Sequence, residues 1–264
     1  MSDIHFISGL PRSGSTLLAA ILRQNPRFTA SIQSPVGYSL IALHQSLGGA
    51  NEAKTFLTDT QRHVMLRGLF WSYYPVLSWT NSDAVVFDTN RRWCAHAALT
   101  KSLFPESKII CCVREPMKIV ESIERLVRAH PLELNAIFEF KPNTTVYERV
   151  NMLTLPTGLF GYAWNAFKDA YYARSERLII VEYDELAQCP RGVINRVHRE
   201  LGYEPFDYNF DKIEQIPGAA EFDKSLGLPG LHDLYPQVTY RPQQAVLPPD
   251  IALHLPKPFW QLRK

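Results

Sequence analysis

The first 26 residues constrain the fold of this chain more than any other segment. IHFIS, residues 4–8, is a short strand-like run that ends at Gly9, and TLLAAILRQNP carries apolar residues at helical spacing until Pro26. The loop between them, GLPRSGST, joins a strand directly to a helix. In such a loop the backbone N–H groups and the helix N-terminus converge on one point with partial positive charge. The segment therefore predicts an α/β unit that holds a phosphate or a sulfate.

Three further apolar runs, DAVVFD, KIICCV and RLIIVEY, are predicted strands that alternate with helical patterns. KIICCV is apolar on both faces, as expected in the middle of a parallel sheet. The alternation predicts a three-layer fold in which helices flank a central parallel sheet. We expect one domain over residues 1–264, with a core at about 3–202 and an ordered C-terminal tail wrapping it from about 203 to 264.

Helical periodicity predicts the elements between these strands. One long helix is expected over residues 51–76, with an apolar stripe facing the core. The stretch 131–156 has no clear period, so we expect an irregular excursion that covers a site or a partner surface. Other helices are expected at 36–47, about 93–103, 117–129, 158–174 and 191–202, the last ending at Gly202.

Composition excludes several classes of partner. The 28 basic and 26 acidic residues leave a net charge of +2, too balanced for a protein whose main partner is a nucleic-acid backbone. No segment approaches the roughly 20 apolar residues that span a bilayer. The four cysteines lack metal spacing, and Cys111 and Cys112 lie in a predicted buried strand, so we expect reduced thiols and a cytoplasmic protein. No oligomeric state is predicted.

The loop after the first strand matches a nucleotide-binding pattern, GxxxxG-x-[ST], with one departure. The lysine that normally precedes the last Ser/Thr is Ser15 here, and Arg12 lies earlier in the loop. An NTPase of this fold needs that lysine, together with a magnesium carboxylate that Asp88 could imitate. The missing lysine argues against an ATPase or a kinase. The alternative without function is a Gly/Ser turn that only caps a helix.

The same loop, LPRSGSTLL, resembles the 5′-phosphosulfate-binding loop of sulfotransferases that use 3′-phosphoadenosine 5′-phosphosulfate (PAPS). The resemblance is to the bacterial branch related to tyrosylprotein sulfotransferases. In CVREPMKIVESIERLVR, Arg114 ends a predicted strand and Ser122 follows eight residues later, which is similar to the family's 3′-phosphate motif. A guanidinium and a hydroxyl at that separation can converge on one phosphate.

Two weaker matches lie further along the chain, and the resemblance as a whole spans residues 4 to 241. VEYDEL resembles a family signature in which Tyr183 would line the nucleotide site, although a tyrosine packing at a strand end explains it equally well. QVTYRP resembles the family's C-terminal basic segment, which implies that Arg241 contacts PAPS. The resemblance thus implies a P-loop-type α/β fold. It also implies that PAPS binds to Arg114, Ser122, Tyr183 and Arg241 and to the residues of the first loop, which are Arg12, Ser13, Gly14, Ser15 and Thr16.

The implied reaction moves a sulfo group from PAPS to an acceptor, without a required metal. Positioned positive charge is the main catalytic device, and we assign it to Arg12 together with the loop amides. The glutamate base of tyrosylprotein sulfotransferases falls at about Gln33 or Ser34, and neither is a conventional base. Asp88, at a strand end, is the first candidate base, with capping of the next helix as its alternative role. His232, which resembles a histidine of the bacterial relatives, is the second.

The missing glutamate suggests an acceptor other than tyrosine. A hydroxyl, an amine or a guanidinium group on a small molecule or natural product of secondary metabolism would qualify. Tyrosine O-sulfation of a peptide remains an alternative. A P-loop kinase, and a non-catalytic module that senses a 3′,5′-bisphosphorylated adenosine, are alternatives of other classes.

Overall fold

Five parallel strands form one sheet in the order β2-β3-β1-β4-β5. The computed structural model describes residues 3–49, 52–74, 83–142, 145–173 and 177–263. The register pairs Ile7 with Thr89 and Gly9 with Cys112, so the strands flanking β1 end beside its carboxyl end. This sheet confirms the predicted parallel α/β architecture. The strands are β1 Asp3–Gly9, β2 Phe28–Ala30, β3 Val85–Thr89, β4 Ile109–Val113 and β5 Leu178–Glu182.

The central strands are buried on both faces. Every position of β3 and β4 is buried, because helices cover the sheet on both sides. Successive side chains of a strand point to opposite faces, so Phe6 and Cys111 pack in one core cluster and Ile7 and Cys112 in the other. Adjacent cysteines therefore face away from each other, and all four cysteines are free thiols.

Helices fill both faces and bring the strand ends into position. No helix in the described ranges is long and apolar enough to cross a membrane. The helices are α1 Ser15–Leu22, α2 Val36–Gly48, α3 Glu52–Phe56, α4 Asp59–Tyr73, α5 Ala97–Leu103, α6 Pro116–Ala129, α7 Val146–Thr154, α8 Leu159–Tyr172, α9 Tyr183–Gln188, α10 Pro190–Leu201 and α11 Ala219–Ser225.

The single helix predicted over 51–76 is wrong. The chain forms α3 and α4 separately, because the hydroxyl of Thr58 accepts the backbone N–H of Gln61 while the Gln61 side chain accepts the backbone N–H of Thr58. This capping box starts a new helix at Asp59. The ends of the predicted helix, at residues 51 and 75–76, lie outside the described residues.

The excursion expected at 131–156 is only partly irregular. It contains a short 3₁₀ turn, Ala136–Phe138, and the helix α7, which begins where the Thr145 hydroxyl accepts the backbone N–H of Glu148. Two other short elements were not expected from the sequence, namely β2 and α9. Neither is long enough to carry a periodic signal.

The C-terminal segment packs on both sides of the sheet. Tyr208, Ile213 and Ile216 join the cluster that contains Ile7, whereas Phe259 and Trp260 join the cluster that contains Phe6. Between these anchors, α11 and the turns after it run past the carboxyl ends of the strands. The tail therefore contributes side chains to the same edge of the sheet as the first loop.

Candidate functional site

A cleft of about 970 Å³ lies at the carboxyl ends of the strands. Its walls include loop residues 9–12 and 14–17, residues 89–91 at the end of β3, Arg114 and Tyr183, and tail residues 229–235 and 237–239. Open parallel sheets bind their ligands at this position. The volume is at the upper end of the range for small-molecule pockets, which leaves room for a nucleotide and a second molecule.

Two glycines shape the loop that opens the cleft. Gly9 has a φ of 109°, and a Cβ there would lie 2.2 Å from the carbonyl oxygen of Cys112. Gly14 has a φ of 90°, and a Cβ there would lie 2.7 Å from Cδ2 of Tyr183. Both positions thus need glycine for the backbone conformation and for close approach. The loop delivers the N-terminus of α1, with Ser15 and Thr16, to the cleft.

Arg12 joins three parts of the cleft. Its Nε donates to Oγ of Ser122 on α6 at 3.1 Å, and its Nη1 donates to the carbonyl of Leu231 in the tail. Its backbone has a φ of 55°, an unusual conformation for a residue other than glycine, which the surrounding contacts hold. Burial lowers the pKa of Arg12, and the charge of Arg114 lowers it further. An anion in the cleft would relieve both effects.

The Ser13 side chain stabilises the loop and does not line the cleft. Its side chain is fully buried, and its hydroxyl lies 2.8 Å from the carbonyl oxygen of Cys112, a geometry in which it donates to that carbonyl. Ser13 does not line the cleft, whereas Gly14, Ser15 and Thr16 do. Any contact of Ser13 with a bound anion would therefore come from its backbone amide.

Arg114 lies where β4 ends, with part of its side chain unpaired. Its Nη1 donates to the Arg12 carbonyl at 3.4 Å, and its guanidinium lies 4.3 Å from the centre of the Tyr183 ring. Its Nε is buried without a hydrogen-bond partner in the described part of the chain. Burial lowers the pKa of Arg114. Arg12, Arg114, Ser122 and Tyr183 thus meet in one cleft from four separate segments.

The cleft is strongly cationic. Its arginines are Arg12, Arg91, Arg114 and Arg125, and Asp233 is the one carboxylate among its described lining residues. Within the described ranges, the first three of these arginines form no ion pair with a carboxylate. Guanidinium groups buried without counter-charge are costly unless a ligand supplies the charge. The donor set therefore suits a polyanionic ligand.

Arg241 does not line the cleft. Its guanidinium lies 3.8 Å from the centre of the Tyr235 ring, and it is Tyr235 that contributes to the wall. The expected direct contact of Arg241 with a nucleotide is thus not supported by its position. Arg125 is closer to the site, since it lines the cleft and donates to the Gln243 side chain and to the Gln244 carbonyl.

Asp88, the first candidate base, is enclosed by donors and has no access to the cleft. It is fully buried, and its carboxylate accepts hydrogen bonds from Ser34 Oγ at 2.5 Å, Tyr74 OH at 2.6 Å and Trp93 Nε1 at 2.7 Å. It neither lines the cleft nor caps the following turn, which Asn90 caps instead. We therefore correct the expectation for Asp88: its position is that of a structural residue.

His232, the second candidate base, lines the cleft and is paired with a buried carboxylate. Its Nδ1 lies 2.5 Å from Oδ1 of Asp223, and its backbone N–H donates to Oδ2 at 2.7 Å. Burial lowers the pKa of His232, the Asp223 carboxylate acts in the opposite direction, and the charges of Arg12 and Arg91 lower it again. The lowered pKa favours the neutral imidazole, and the adjacent Asp223 carboxylate favours the tautomer with its proton on Nδ1.

Three residues of the site were not assigned from the sequence. Arg125 lies three positions after Ser122 and hence on the same helix face, which is a signal that was present. Arg91 follows the predicted strand DAVVFD by three positions, so its place just after a strand end was the available signal. Asp223 carried no signal, because the turns of 226–231, with glycines at positive φ, bring it to His232.

Comparison with known proteins adds independent findings. The model of the sulfotransferase family matches residues 5–208. The nodulation protein NoeE of Sinorhizobium fredii is 28% identical over 233 residues, which cover 80% of this chain and 53% of that protein. The chain therefore spans about half the length of this relative.

Two solved structures resemble the fold. The sulfotransferase domain of the Synechococcus PCC 7002 olefin synthase has a TM-score of 0.52 and 18% identity, covering 93% of this chain and 92% of that one. The sulfotransferase domain from the curacin biosynthetic pathway has a TM-score of 0.51 and 18% identity, with 78% and 76% covered. At this level of identity the likeness concerns the fold.

Proposed function

Because the chain belongs to the sulfotransferase family, we propose that it transfers a sulfo group from PAPS to a small-molecule acceptor. The observation that carries the proposal is the convergence of Arg12, Arg114 and Ser122 on one cleft, beside the N-terminus of α1. A nucleotide with anionic groups at both its 3′ and its 5′ ends needs two such groups of donors.

Each end of the nucleotide has its own donors. Arg114 and Ser122 hold the 3′-phosphate, with the buried, unpaired Nε of Arg114 as one donor. The amides of the loop, the Thr16 hydroxyl and the N-terminus of α1 hold the 5′ end. Tyr183 forms one wall of the nucleotide site, and the guanidinium of Arg114 stacks on its ring. When bound, PAPS supplies the sulfo group and a phosphate leaving group.

Arg12 and His232 provide the chemistry from the protein's side. The guanidinium of Arg12 stabilises negative charge on the transferring and leaving oxygens, and its hydrogen bonds to Ser122 and Leu231 hold it in place. His232 accepts the acceptor's proton at Nε2, since Nδ1 donates to Asp223. Asp223 is a positioning residue that fixes the tautomer and orientation of the ring.

The acceptor enters the part of the cleft that the nucleotide leaves open. Apolar side chains there, among them Ile32, Leu159 and Phe222, suit the body of an organic molecule that carries a hydroxyl, amine or guanidinium group. The absence of a glutamate near Gln33 favours such a molecule over tyrosine. The free cysteines suit a reducing compartment, and we place the reaction in the cytoplasm.

The test is PAPS turnover in the presence of pooled phenols, alcohols, amines and peptides, with release of 3′-phosphoadenosine 5′-phosphate (PAP) as the readout. We expect acceptor-dependent release of PAP, insensitive to a chelator. Arg12→Ala should lower kcat by about 10²–10³-fold while PAP still binds, because its main role is in the transition state. PAP binding without any turnover would indicate a non-catalytic module, and chelator-sensitive transfer from ATP would indicate a kinase.

A further inference from the structure

Two buried thiols face each other behind the start of the nucleotide loop. Sγ of Cys94 lies 3.4 Å from Sγ of Cys111, and both residues are buried. Cys94 directly follows the 3₁₀ turn Arg91–Trp93, whereas Cys111 lies within β4. The two sulfur atoms need to approach by only about 1.4 Å to reach the disulfide bond length of about 2.05 Å. The proposed sulfo transfer uses neither thiol.

The surroundings of Cys94 favour its thiolate form. A buried thiol is ordinarily inert, because burial opposes the charge of the thiolate. At Cys94 a hydrogen bond with Cys111 lowers the pKa of the thiol, burial acts in the opposite direction, and contacts with the Ser8 hydroxyl and the Gly9 backbone amide lower it further. The hydrogen bond with Cys94 and burial both raise the pKa of the Cys111 thiol. Cys94 is therefore the nucleophile of the pair, and Cys111 is the thiol that can resolve an oxidised Cys94.

The pair lies next to residues that line the cleft. Ser8 and Gly9, which contact Cys94, both belong to the cleft wall. Ser8 also pairs with Cys111 in the sheet, and its hydroxyl donates to the Arg91 carbonyl at 3.1 Å and accepts the backbone N–H of Cys94 at 3.2 Å. A small oxidant that enters the cleft therefore reaches the neighbours of the Cys94 sulfur. A nucleotide bound at the loop would cover the same neighbours.

A bond between the two sulfurs would change the start of the loop. The Cys94 sulfur would move towards β4 and lose its negative charge, so its hydrogen bond with the Gly9 amide would weaken. Gly9 has little room to adjust, because a Cβ there would lie 2.2 Å from the carbonyl oxygen of Cys112. The turn before Cys94 also carries Arg91, which lines the cleft. Since a close-packed interior transmits such shifts, the loop amides and Arg91 would both be displaced.

We infer that Cys94 and Cys111 form a reversible disulfide that weakens nucleotide binding at the loop. The inference rests on the proposed binding of PAPS and adds a redox control to it. Disulfides in a reducing compartment are mostly transient and regulatory, which fits such a role.

A peroxide is the oxidant of the proposed step. The Cys94 thiolate attacks one peroxide oxygen, the O–O bond breaks, and hydroxide leaves and takes up the proton that the thiol released, which gives one water. Cys94 is then a sulfenic acid. The Cys111 sulfur attacks the Cys94 sulfur, the S–O bond breaks, and the oxygen leaves with the Cys111 proton as a second water. A thiol reductant restores both cysteines by exchange.

Peptide mapping of the full chain after treatment with hydrogen peroxide tests the disulfide. Trypsin separates the two thiols onto the peptides WCAHAALTK and IICCVR. We expect these peptides to be linked in the unsubstituted protein and in Cys112→Ala, which removes the adjacent thiol of the other core cluster. The link should be absent in Cys111→Ala, and dithiothreitol should remove it from the unsubstituted protein. Peroxide that modifies the exposed Cys189 alone, or a link that persists in Cys111→Ala, would overturn the inference.

Calorimetric titration with PAP tests the coupling to the loop. The oxidised protein should bind PAP about fivefold or more weakly than the reduced protein, and dithiothreitol should restore the affinity. Saturating PAP should slow formation of the link. Cys94→Ser should keep its PAP affinity after peroxide treatment, whereas Cys189→Ser, which removes the exposed thiol, should respond as the unsubstituted protein does. A linked protein with unchanged PAP affinity would overturn the inference while the proposed function stands. If the reduced protein binds no PAP, the proposed function fails and the inference fails with it.

Discussion

Replacing Arg114 with alanine tests the assignment of the nucleotide's 3′ end. Among the described residues the guanidinium has few contacts: a hydrogen bond of 3.4 Å to the Arg12 carbonyl and a stacking contact with Tyr183. Its Nε has no partner in the described part of the chain. Most of its hydrogen-bonding capacity is thus available to a ligand. Affinity for a 3′-phosphate should therefore depend on this residue much more than stability does.

The expected magnitude follows from these contacts. A hydrogen bond to a charged group contributes about 1.5–3 kcal/mol, so the variant should bind PAP about 10- to 150-fold more weakly. The lost stacking with Tyr183 is worth about 0.5–1 kcal/mol, and removing a positive charge beside Arg12 offsets part of that loss. The melting temperature should therefore fall by no more than about 4 °C.

Calorimetric titration with PAP and with adenosine 5′-monophosphate separates the two ends of the nucleotide. Arg114→Ala should weaken PAP binding and leave the monophosphate nearly unchanged, because only PAP carries the 3′-phosphate. Arg191→Ala is the matched control, since it removes an exposed guanidinium paired with Asp207 and should alter neither affinity. Equal loss of affinity for both nucleotides, or no loss for either, would refute the assignment.

Three further substitutions have defined outcomes. Asp223→Asn should lower kcat by as much as about 10²–10⁴-fold with PAP affinity retained. The acid limb of the pH–rate profile should move to lower pH, because the Asp223 carboxylate raises the pKa of His232. An unchanged profile would exclude His232 as the base. Gly14→Ala should weaken PAP binding, because its Cβ would lie 2.7 Å from the Tyr183 ring. Gly202→Ala is the control: its φ of 78° is similar and no atom lies within 4 Å of the added Cβ, so it should lower stability without affecting binding. Equal effects of the two substitutions on binding would contradict this account. Burial lowers the pKa of His5 to about 3 in the folded protein, so as the pH falls below about 6.5 the unfolded chain protonates His5 first and the free energy of unfolding should decrease. Urea unfolding below about pH 6.5 should show a flatter dependence of that free energy on pH for His5→Gln than for the unsubstituted protein. Parallel curves would exclude His5 as the cause.

The parts of the site that the sequence predicted are local ones. The first loop could be identified because strand, glycines, arginine and helix follow one another within 20 residues. The sequence could place Arg114 and Ser122 near each other for the same reason, since one strand end and the helix after it carry them. Burial on both faces of β4 was likewise readable from an unbroken apolar run.

The misassigned residues depend on contacts between distant segments. Asp88 does end a strand, as expected, but its three donors come from residues 34, 74 and 93, and together they close it off from the cleft. The break at Thr58 did have a local signal, the capping box with Gln61, which helical periodicity alone conceals. The same holds for Thr145 and Glu148 at the start of α7.

The proposed transfer of a sulfo group from PAPS to a small-molecule acceptor has one most direct test. It follows radiolabelled sulfur from PAPS into the acceptors that the pooled screen identifies, while PAP release is quantified in the same reaction. We expect labelled sulfated acceptor and PAP in equal amounts, with both lost in His232→Ala although PAP still binds. PAP release without a labelled product, or unchanged product formation in the variant, would contradict the account.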